Sequence, residues 1–249
     1  MKVTDAPSPN HDERKLPISL VVLHYTGMKS GAAALAHMQS KKGGVCAHYM
    51  VAEDGEIFQL AQENARAWHA GVSSWHGVTD INSASIGIEI VNGGHDFGLP
   101  DFSSAQIKAV IELCKDIKAR YNLPDKAFIG HSDIVPERKQ DPGEKFPWEV
   151  LANHGIGNWP IVETNDRRIL FEKGASGKGV VIVQRGFANL GYNVAATGEF
   201  DIQTHYVCTA FQRRYRPDKV DGNMDVQTME ILKLLVAYQN KERSTVAAG

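Results

Sequence analysis

The sequence predicts an α/β unit, a mixed central β-sheet flanked by helices, followed by a small all-α three-helix bundle. Three observations predict it. Short apolar runs of strand length alternate with segments at helical spacing through the first 160 residues. Residues 155–160, with two glycines and a proline, then have the composition of a boundary. Beyond them, three amphipathic segments are separated by glycine-containing turns, which suits a small bundle with its own core. The expected organisation is therefore one domain over 1–160, a helical domain over 161–243 and a tail over 244–249.

Taken in order, residues 1–16 read as an extended arm. Pro7, Pro9 and Pro17 disfavour helix there, and little in the arm needs burying. Residues 18–23 (Ile-Ser-Leu-Val-Val-Leu) have the apolar, β-branched pattern of a central strand covered on both faces. Residues 31–40 read as a short helix. Residues 47–53 and 56–61 alternate around Asp54-Gly55, a hairpin signal. Residues 67–75 hold too many small and polar side chains for a core element and are expected to form a surface loop, carrying Trp68, His69 and Trp75. Residues 85–91 (Ser-Ile-Gly-Ile-Glu-Ile-Val) return to the buried-strand pattern. Ile107, Val110, Ile111, Cys114, Ile117 and Tyr121 recur at helical spacing, with Ser103 or Ser104 as the cap. Residues 127–129 make a last strand, and a short helix follows Phe146-Pro147-Trp148. The three later helices are expected over 177–190, 201–215 and 225–238.

Composition narrows the function classes. Of 249 residues, 43% are hydrophobic and 22% charged, the balance of a globular chain. A formal net charge of -2 offers no basic field for nucleic acid or an anionic membrane, so neither is an expected partner. Cys46, Cys114 and Cys208 are odd in number and widely spaced, which does not make a disulfide framework. No apolar run approaches the roughly 18 residues of a membrane span. The first 15 residues lack the apolar core of a signal peptide, which predicts a cytoplasmic location. A leader lost upstream would read the same, with the periplasm or outer membrane as the alternative.

The chemistry concentrates in residues 130–143, Gly-His-Ser-Asp-Ile-Val-Pro-Glu-Arg-Lys-Gln-Asp-Pro-Gly. Pro136, Pro142 and Gly143 constrain a loop that carries His131, Asp133, Lys139 and Asp141. A histidine and an aspartate in such a loop can supply two ligands to one zinc ion, and His24, at the end of the first long strand, is a natural third. Three protein ligands keep the fourth position open, the catalytic arrangement. Asp133, His48, His69 and His76 compete for the same role, and spacing alone does not choose among them. A lone histidine after a strand is more often a hydrogen-bonded core or edge residue. Glu89, a carboxylate inside an apolar strand, is costly to bury unless paired or used. It is either an edge residue facing water or a general base for hydrolysis. Lys139 is either a solvated surface lysine or an oxyanion partner.

Collectively these segments resemble the zinc N-acetylmuramoyl-L-alanine amidases of type 2, the AmpD- and AmiD-like group, with phage lysozymes and peptidoglycan recognition proteins as relatives. The resemblance is carried by Leu23-His24-Tyr25-Thr26, Ala47-His48-Tyr49, Ala67-Trp68-His69-Ala70-Gly71, Ser85-Ile86-Gly87-Ile88-Glu89 and the loop from His131 to Gly143. It runs in order across roughly residues 8–160. It implies one zinc ion per chain held by His24, His131 and Asp141, with Glu89 as general base and Lys139 at the oxyanion. It puts Trp68 and His69 beside the cleft and makes His48 a substrate-side or structural residue rather than a metal ligand. The helical part resembles the three-helix peptidoglycan-binding module, through Lys173-Gly174-Ala175-Ser176-Gly177, Leu190-Gly191-Tyr192, Thr197-Gly198-Glu199-Phe200-Asp201, Ala210-Phe211-Gln212-Arg213-Arg214-Tyr215 and Val220-Asp221-Gly222. Phe200, Phe211 and Tyr215 would equally serve as plain bundle core.

The resemblance implies a hydrolase that cuts the amide between N-acetylmuramic acid, or its 1,6-anhydro form, and the L-alanine of the stem peptide, acting on peptidoglycan or muropeptides in recycling or remodelling. Two other classes compete: a non-catalytic muropeptide recognition protein, and a phage-type endolysin. The complete set His24, His131, Asp141, Glu89 and Lys139 argues against the first, since non-catalytic relatives typically lack part of it.

Overall fold

The computed structural model describes residues 1–247. Strands β1 (Val3–Asp5), β2 (His11–Glu13) and β3 (Leu20–Tyr25) open the chain, followed by helix α1 (Gly31–Gln39) and strands β4 (Tyr49–Val51), β5 (Ile57–Gln59) and β6 (Ala65–Ala67). A single turn of helix, α2 (Ile81–Ala84), leads into β7 (Ser85–Ile90). Then come the long helix α3 (Ser104–Tyr121), β8 (Phe128–Gly130) and the short helices α4 (His131–Ile134) and α5 (Trp148–Ala152). The six-stranded sheet has the order β1-β5-β4-β7-β3-β8. Its pairs are parallel except β4–β5, the hairpin turning at Asp54-Gly55. β2 and β6 form a separate antiparallel ribbon.

Alternation along β3 and β7 decides where everything else sits. Val21 and Leu23 of β3, with Ile86, Ile88 and Ile90 of β7 and Phe128 of β8, pack with Ile107, Val110, Ile111, Cys114 and Ile117 of α3 in one core. Ser103 caps α3 by accepting from the Gln106 N–H at 3.1 Å, and Asn122 closes it in the left-handed region. The opposite face of β3 and β8 carries Leu20, Val22 and Ile129, and these join a second core. On that same side of β3 and β7 lie His24, Ser85, Gly87 and Glu89. His24 and Glu89 are register partners, side by side on adjacent strands. The strands are apolar throughout only towards α3.

The arm over 1–16 is extended, as expected, but it buries more than its composition suggested. β1 adds to the sheet edge beside β5, and Ala6, Ser8 and Asn10 are buried. The Asn10 amide nitrogen lies within 3.0 Å of the carbonyls of Met38, Ser40 and Val45. Residues 67–75 are a loop, yet not a surface one. Ala67, His69, Ala70, Ser73 and Trp75 are buried: Ala67 packs with Ala34 and Met38 of α1, His69 against β3 and β7, and Ala70 and Trp75 in the core shared with the helical part of the chain.

That helical part comprises β9 (Ile169–Phe171), α6 (Lys178–Leu190), α7 (Ile202–Tyr215), β10 (Met224–Asp225) and α8 (Val226–Ala247). β9 and β10 pair in a two-stranded ribbon. Val180, Val183, Phe187, Phe200, Val207, Phe211, Leu232 and Leu235 are its core, and Leu20, Val22, Trp75 and Ile129 of the sheet belong to the same cluster. The bundle does not close on itself with a core of its own. It shares one with the sheet. α8 extends through 244–247, part of the expected tail, and residues 248–249 lie outside the described residues. Cys46, Cys114 and Cys208 are free and buried. No helix among the described residues is long and apolar enough to cross a membrane.

Asn10→Ala removes the amide that ties the arm to three buried carbonyls. It is expected to lower unfolding stability by about 1–3 kcal/mol, the usual cost of orphaned buried groups. Urea denaturation checks this, and an unchanged midpoint would show that the arm is not held through Asn10.

Candidate active site

β3, β7 and β8 end together at one edge of the sheet, and a cleft opens there. It is lined by Tyr25, His69, Glu89, His95, His131, Lys139 and Asp141, among others, and encloses about 420 Å³. The Nδ1 atoms of His24 and His131 are 2.9 Å apart. Asp141 Oδ2 lies 3.1 Å from the first and 2.8 Å from the second. All three residues are buried. The loop holding His131 and Asp141 closes on itself through the Ser132 N–H, which donates to the Asp141 carbonyl at 2.9 Å.

Hydrogen bonding on the far side of each ring decides which nitrogen faces this point. Ser85 Oγ donates to the Ile81 carbonyl at 2.5 Å, so its oxygen accepts from His69 Nε2 at 3.2 Å. Burial keeps His69 well below the ordinary imidazole range, hence neutral, and its bare Nδ1 accepts from His24 Nε2 at 3.0 Å. Burial also pushes His24 down to about 4, with His131 adding to the effect. Its other nitrogen, Nδ1, faces His131 and Asp141. His131 Nε2 faces the Ala70 carbonyl at 3.3 Å, which turns its Nδ1 to the same point. Burial opposes the charge on Asp141, but the imidazoles of His131 and then His24 outweigh it and hold the carboxyl well below its ordinary range. Two imidazole nitrogens and a carboxylate oxygen thus converge on one buried point, an arrangement that suits a metal cation.

Glu89 sits beside this cluster. It is partly exposed, but its Oε2 is shut off from solvent and has no hydrogen-bond partner. Burial, followed by the charge of Asp141, raises its carboxyl well above the usual range, and Lys139 works the other way. Lys139 is half-buried on the cleft wall, and its charge is felt by both Glu89 and His24.

Of the remaining candidates, Asp133 is turned away from the cluster. Its Oδ2 accepts from the Gly130 N–H at 2.8 Å. His48 is fully buried, and its Nδ1 accepts from the Gly87 N–H at 2.9 Å. Neither His48 nor Trp68 is among the residues lining the cleft. His69 lines it and also props His24 from behind. That supporting role was not legible from spacing, although a signal existed: Ser85, Gly87 and Glu89 share one strand face. A β-carbon on Gly87 would come within 2.4 Å of the His69 ring, so only glycine leaves room for it. Asn82 completes the support by accepting from the N–H groups of His69 and Ala70 at 3.0 and 2.7 Å. Sequence reasoning also missed a second wall. Tyr25 Oη lies 3.0 Å from His95 Nδ1, and His95 Nε2 lies 3.0 Å from Glu144. That hydrogen bond, more than any other contact, lowers the Glu144 carboxyl to about 2.

Two imidazoles and a carboxylate gathered in an open cleft, with a free carboxylate alongside, define the class of metal-assisted hydrolases. The chain belongs to the N-acetylmuramoyl-L-alanine amidases. Residues 14–144 match the model of that family, and residues 176–232 match a model described as a peptidoglycan binding domain. The chain is 36% identical over 231 residues to N-acetylmuramoyl-L-alanine amidase AmiD of Escherichia coli, covering 88% of this chain and 82% of the relative. The structure of that AmiD in complex with anhydro-N-acetylmuramic acid-L-Ala-D-gamma-Glu-L-Lys superposes with a TM-score of 0.77 at 32% identity, covering 93% of this chain and 90% of the other. AmpDh3 of Pseudomonas aeruginosa in complex with anhydromuramic pentapeptide gives 0.70 at 33% identity, over 87% and 90% of the two chains.

The environment of His48 generates a pH prediction. Burial, with the charge of Arg14 2.8 Å from its Nε2 contributing, pushes the imidazole down to about 4. Between pH about 6.5 and 4 the unfolded chain binds a proton that the folded chain refuses, so folding stability falls as pH falls through that window. His48→Gln should flatten this part of the stability profile. Denaturation midpoints of the metal-free chain at pH 7, 5.5 and 4.5 check it, and an unchanged slope would mean that His48 titrates normally.

Proposed function

We propose that this chain hydrolyses the amide between N-acetylmuramic acid, or its 1,6-anhydro form, and the L-alanine of the stem peptide, with one zinc ion held by His24, His131 and Asp141. The observation that carries the reading is the convergence of the two Nδ1 atoms and Asp141 Oδ2 beside the unpartnered Oε2 of Glu89. The donor set fits zinc, being two imidazoles and one carboxylate with an open side towards the cleft. The likeness to two amidases solved with anhydromuropeptides supports the substrate class.

Zinc bound there supplies a Lewis acid and an acidified water. The rest falls to the chain's own residues. Glu89 takes a proton from the attacking water as its oxygen bonds to the lactyl carbonyl carbon. A carboxyl raised by burial is a stronger base than one in solvent, and equally a competent acid in the second half. The ammonium of Lys139 offers charge and donors to the oxygen that becomes an oxyanion. The C–N bond then breaks, and Glu89 returns its proton to the departing alanine nitrogen. The second proton of the water passes from the new carboxylic acid to the released amine, so the products are a muramic carboxylate and a stem peptide with an ammonium terminus, and Glu89 ends as it began. His69, Ser85 and Ala70 keep both imidazole Nδ1 atoms aimed at Asp141.

Glu89→Gln keeps the shape of the side chain and removes its basicity. Turnover of anhydromuropeptide should fall by about 10²–10⁴-fold, while the purified variant still carries one zinc per chain. Mass spectrometry of released stem peptide and metal analysis check both halves. Activity at the parental level would remove Glu89 from the chemistry. Saturable muropeptide binding without cleavage by the parent chain would make it a recognition protein.

A further inference from the structure

We infer that Arg214 and Tyr192, both from the helical part, are positioning residues for the amidase site, holding the turn that presents His131. The inference rests on the metal-site reading above. Asp133 lies two residues after His131 on α4 and is buried. Besides the Gly130 N–H, its Oδ2 accepts from Arg214 Nη1 at 2.7 Å, and its Oδ1 accepts from the Tyr192 hydroxyl at 2.6 Å. Arg214 Nη2 donates to the Phe128 carbonyl at 2.7 Å. One guanidinium therefore grips the chain on both sides of Gly130-His131, at Phe128 before and Asp133 after.

The clamp is built on rigid parts. The Arg214 guanidinium lies 4.4 Å over the Trp148 ring. Tyr192 is buried, its ring edge-on to Trp75, Phe187 and Phe211 at 5.0, 5.9 and 6.4 Å. Arg214 is only 4% exposed, so it faces the amidase and not a bound glycan. Its neighbour Arg213 points the same way, 3.5 Å from Glu144, which holds His95 on the cleft wall. Arg213 and Arg214 therefore serve the catalytic side of the chain, while Gln212 binds Asp221, Gly222 and Asn223 within the helical part. Removing Arg214 or the Tyr192 hydroxyl leaves the Asp133 carboxylate short of partners in a buried turn. The turn then relaxes and takes His131 Nδ1 off its aim, since outer contacts of this kind set the orientation of a metal-binding ring.

Three full-length variants test this: Tyr192→Phe, Arg214→Met and Arg216→Met. Arg216 is equally buried on the same side of the helical part, but its partners Asp221, Asp225 and Thr228 lie within that part. Zinc dissociation constants come from competition with a chromophoric chelator, melting temperatures from the metal-free chains, and kcat and KM from anhydromuropeptide hydrolysis. Tyr192→Phe should weaken zinc by about 10-fold and Arg214→Met by about 10–100-fold. Subsaturating zinc should lower kcat with KM unchanged, and excess zinc should restore it for Tyr192→Phe. Arg216→Met should lower the melting temperature and keep the parental zinc constant. Parental zinc affinity in Tyr192→Phe, or an equal loss in Arg216→Met, would overturn the inference. If Arg214→Met does not fold, Tyr192→Phe decides, because it removes one hydroxyl and keeps the ring. A parent chain that binds no zinc would overturn the metal-site reading and this inference together, and would be seen before any variant is made.

Discussion

Three polar atoms, His24 Nδ1, His131 Nδ1 and Asp141 Oδ2, meet within about 3 Å of one another in a buried place. Burying three polar groups this close together is a costly arrangement unless a cation joins them. The surrounding structure holds it nonetheless. The chain of acceptors from His24 through His69 and Ser85 to the Ile81 carbonyl has only one consistent order of donors. The register of β3 against β7 puts Glu89 next to His24, and Gly87 opens the space that His69 fills. Most unusual choices in the sequence near the cleft make sense as ways to keep those three atoms aimed.

Legibility in the sequence followed the range of the forces involved. Helix α3 could be read from its spacing and its Ser103 cap, and the β4–β5 hairpin from Asp54-Gly55, because those signals are local. The alternating Ser-Ile-Gly-Ile-Glu-Ile strand announced that Glu89 needed an explanation. The resemblance chose His24, His131 and Asp141 where spacing could not, and the structure brings those three together while Asp133 turns elsewhere. What the sequence hid was tertiary. Residues 67–75 look like a surface loop until the sheet takes His69 and the core shared with the helical part takes Ala70 and Trp75. The partnership of His69 with His24 depends on a fold that brings residues 45 positions apart into contact. Tyr25, His95 and Glu144 are likewise ordinary residues until the fold aligns them.

The ion pair between Arg214 and Asp133 is a costly way to join two parts of a chain. Taking two charges out of water costs several kcal/mol each, and apolar residues of the same size would often bind as well. What the pair adds is orientation, because a guanidinium bonded at once to Asp133 and to the Phe128 carbonyl fits one geometry and an apolar contact tolerates many. Its position two residues from His131, whose ring belongs to the buried cluster with His24 and Asp141, is where orientation matters most. The aromatic cage around Tyr192 serves the same end, by fixing the hydroxyl that completes the carboxylate's shell.

Leu20, Val22 and Ile129 belong to the same apolar cluster as Phe187, Phe200 and Phe211. Two family models describe this chain as two modules in succession, yet the physical boundary does not fall between them. The sheet uses the bundle as its second covering layer, in the place a further helix would occupy in an open α/β fold. Evolution by recombination usually treats such a bundle as portable cargo. Here, exchanging it for another would uncover an apolar sheet face, so the bundle and the catalytic sheet must change together, each setting the shape the other can accept.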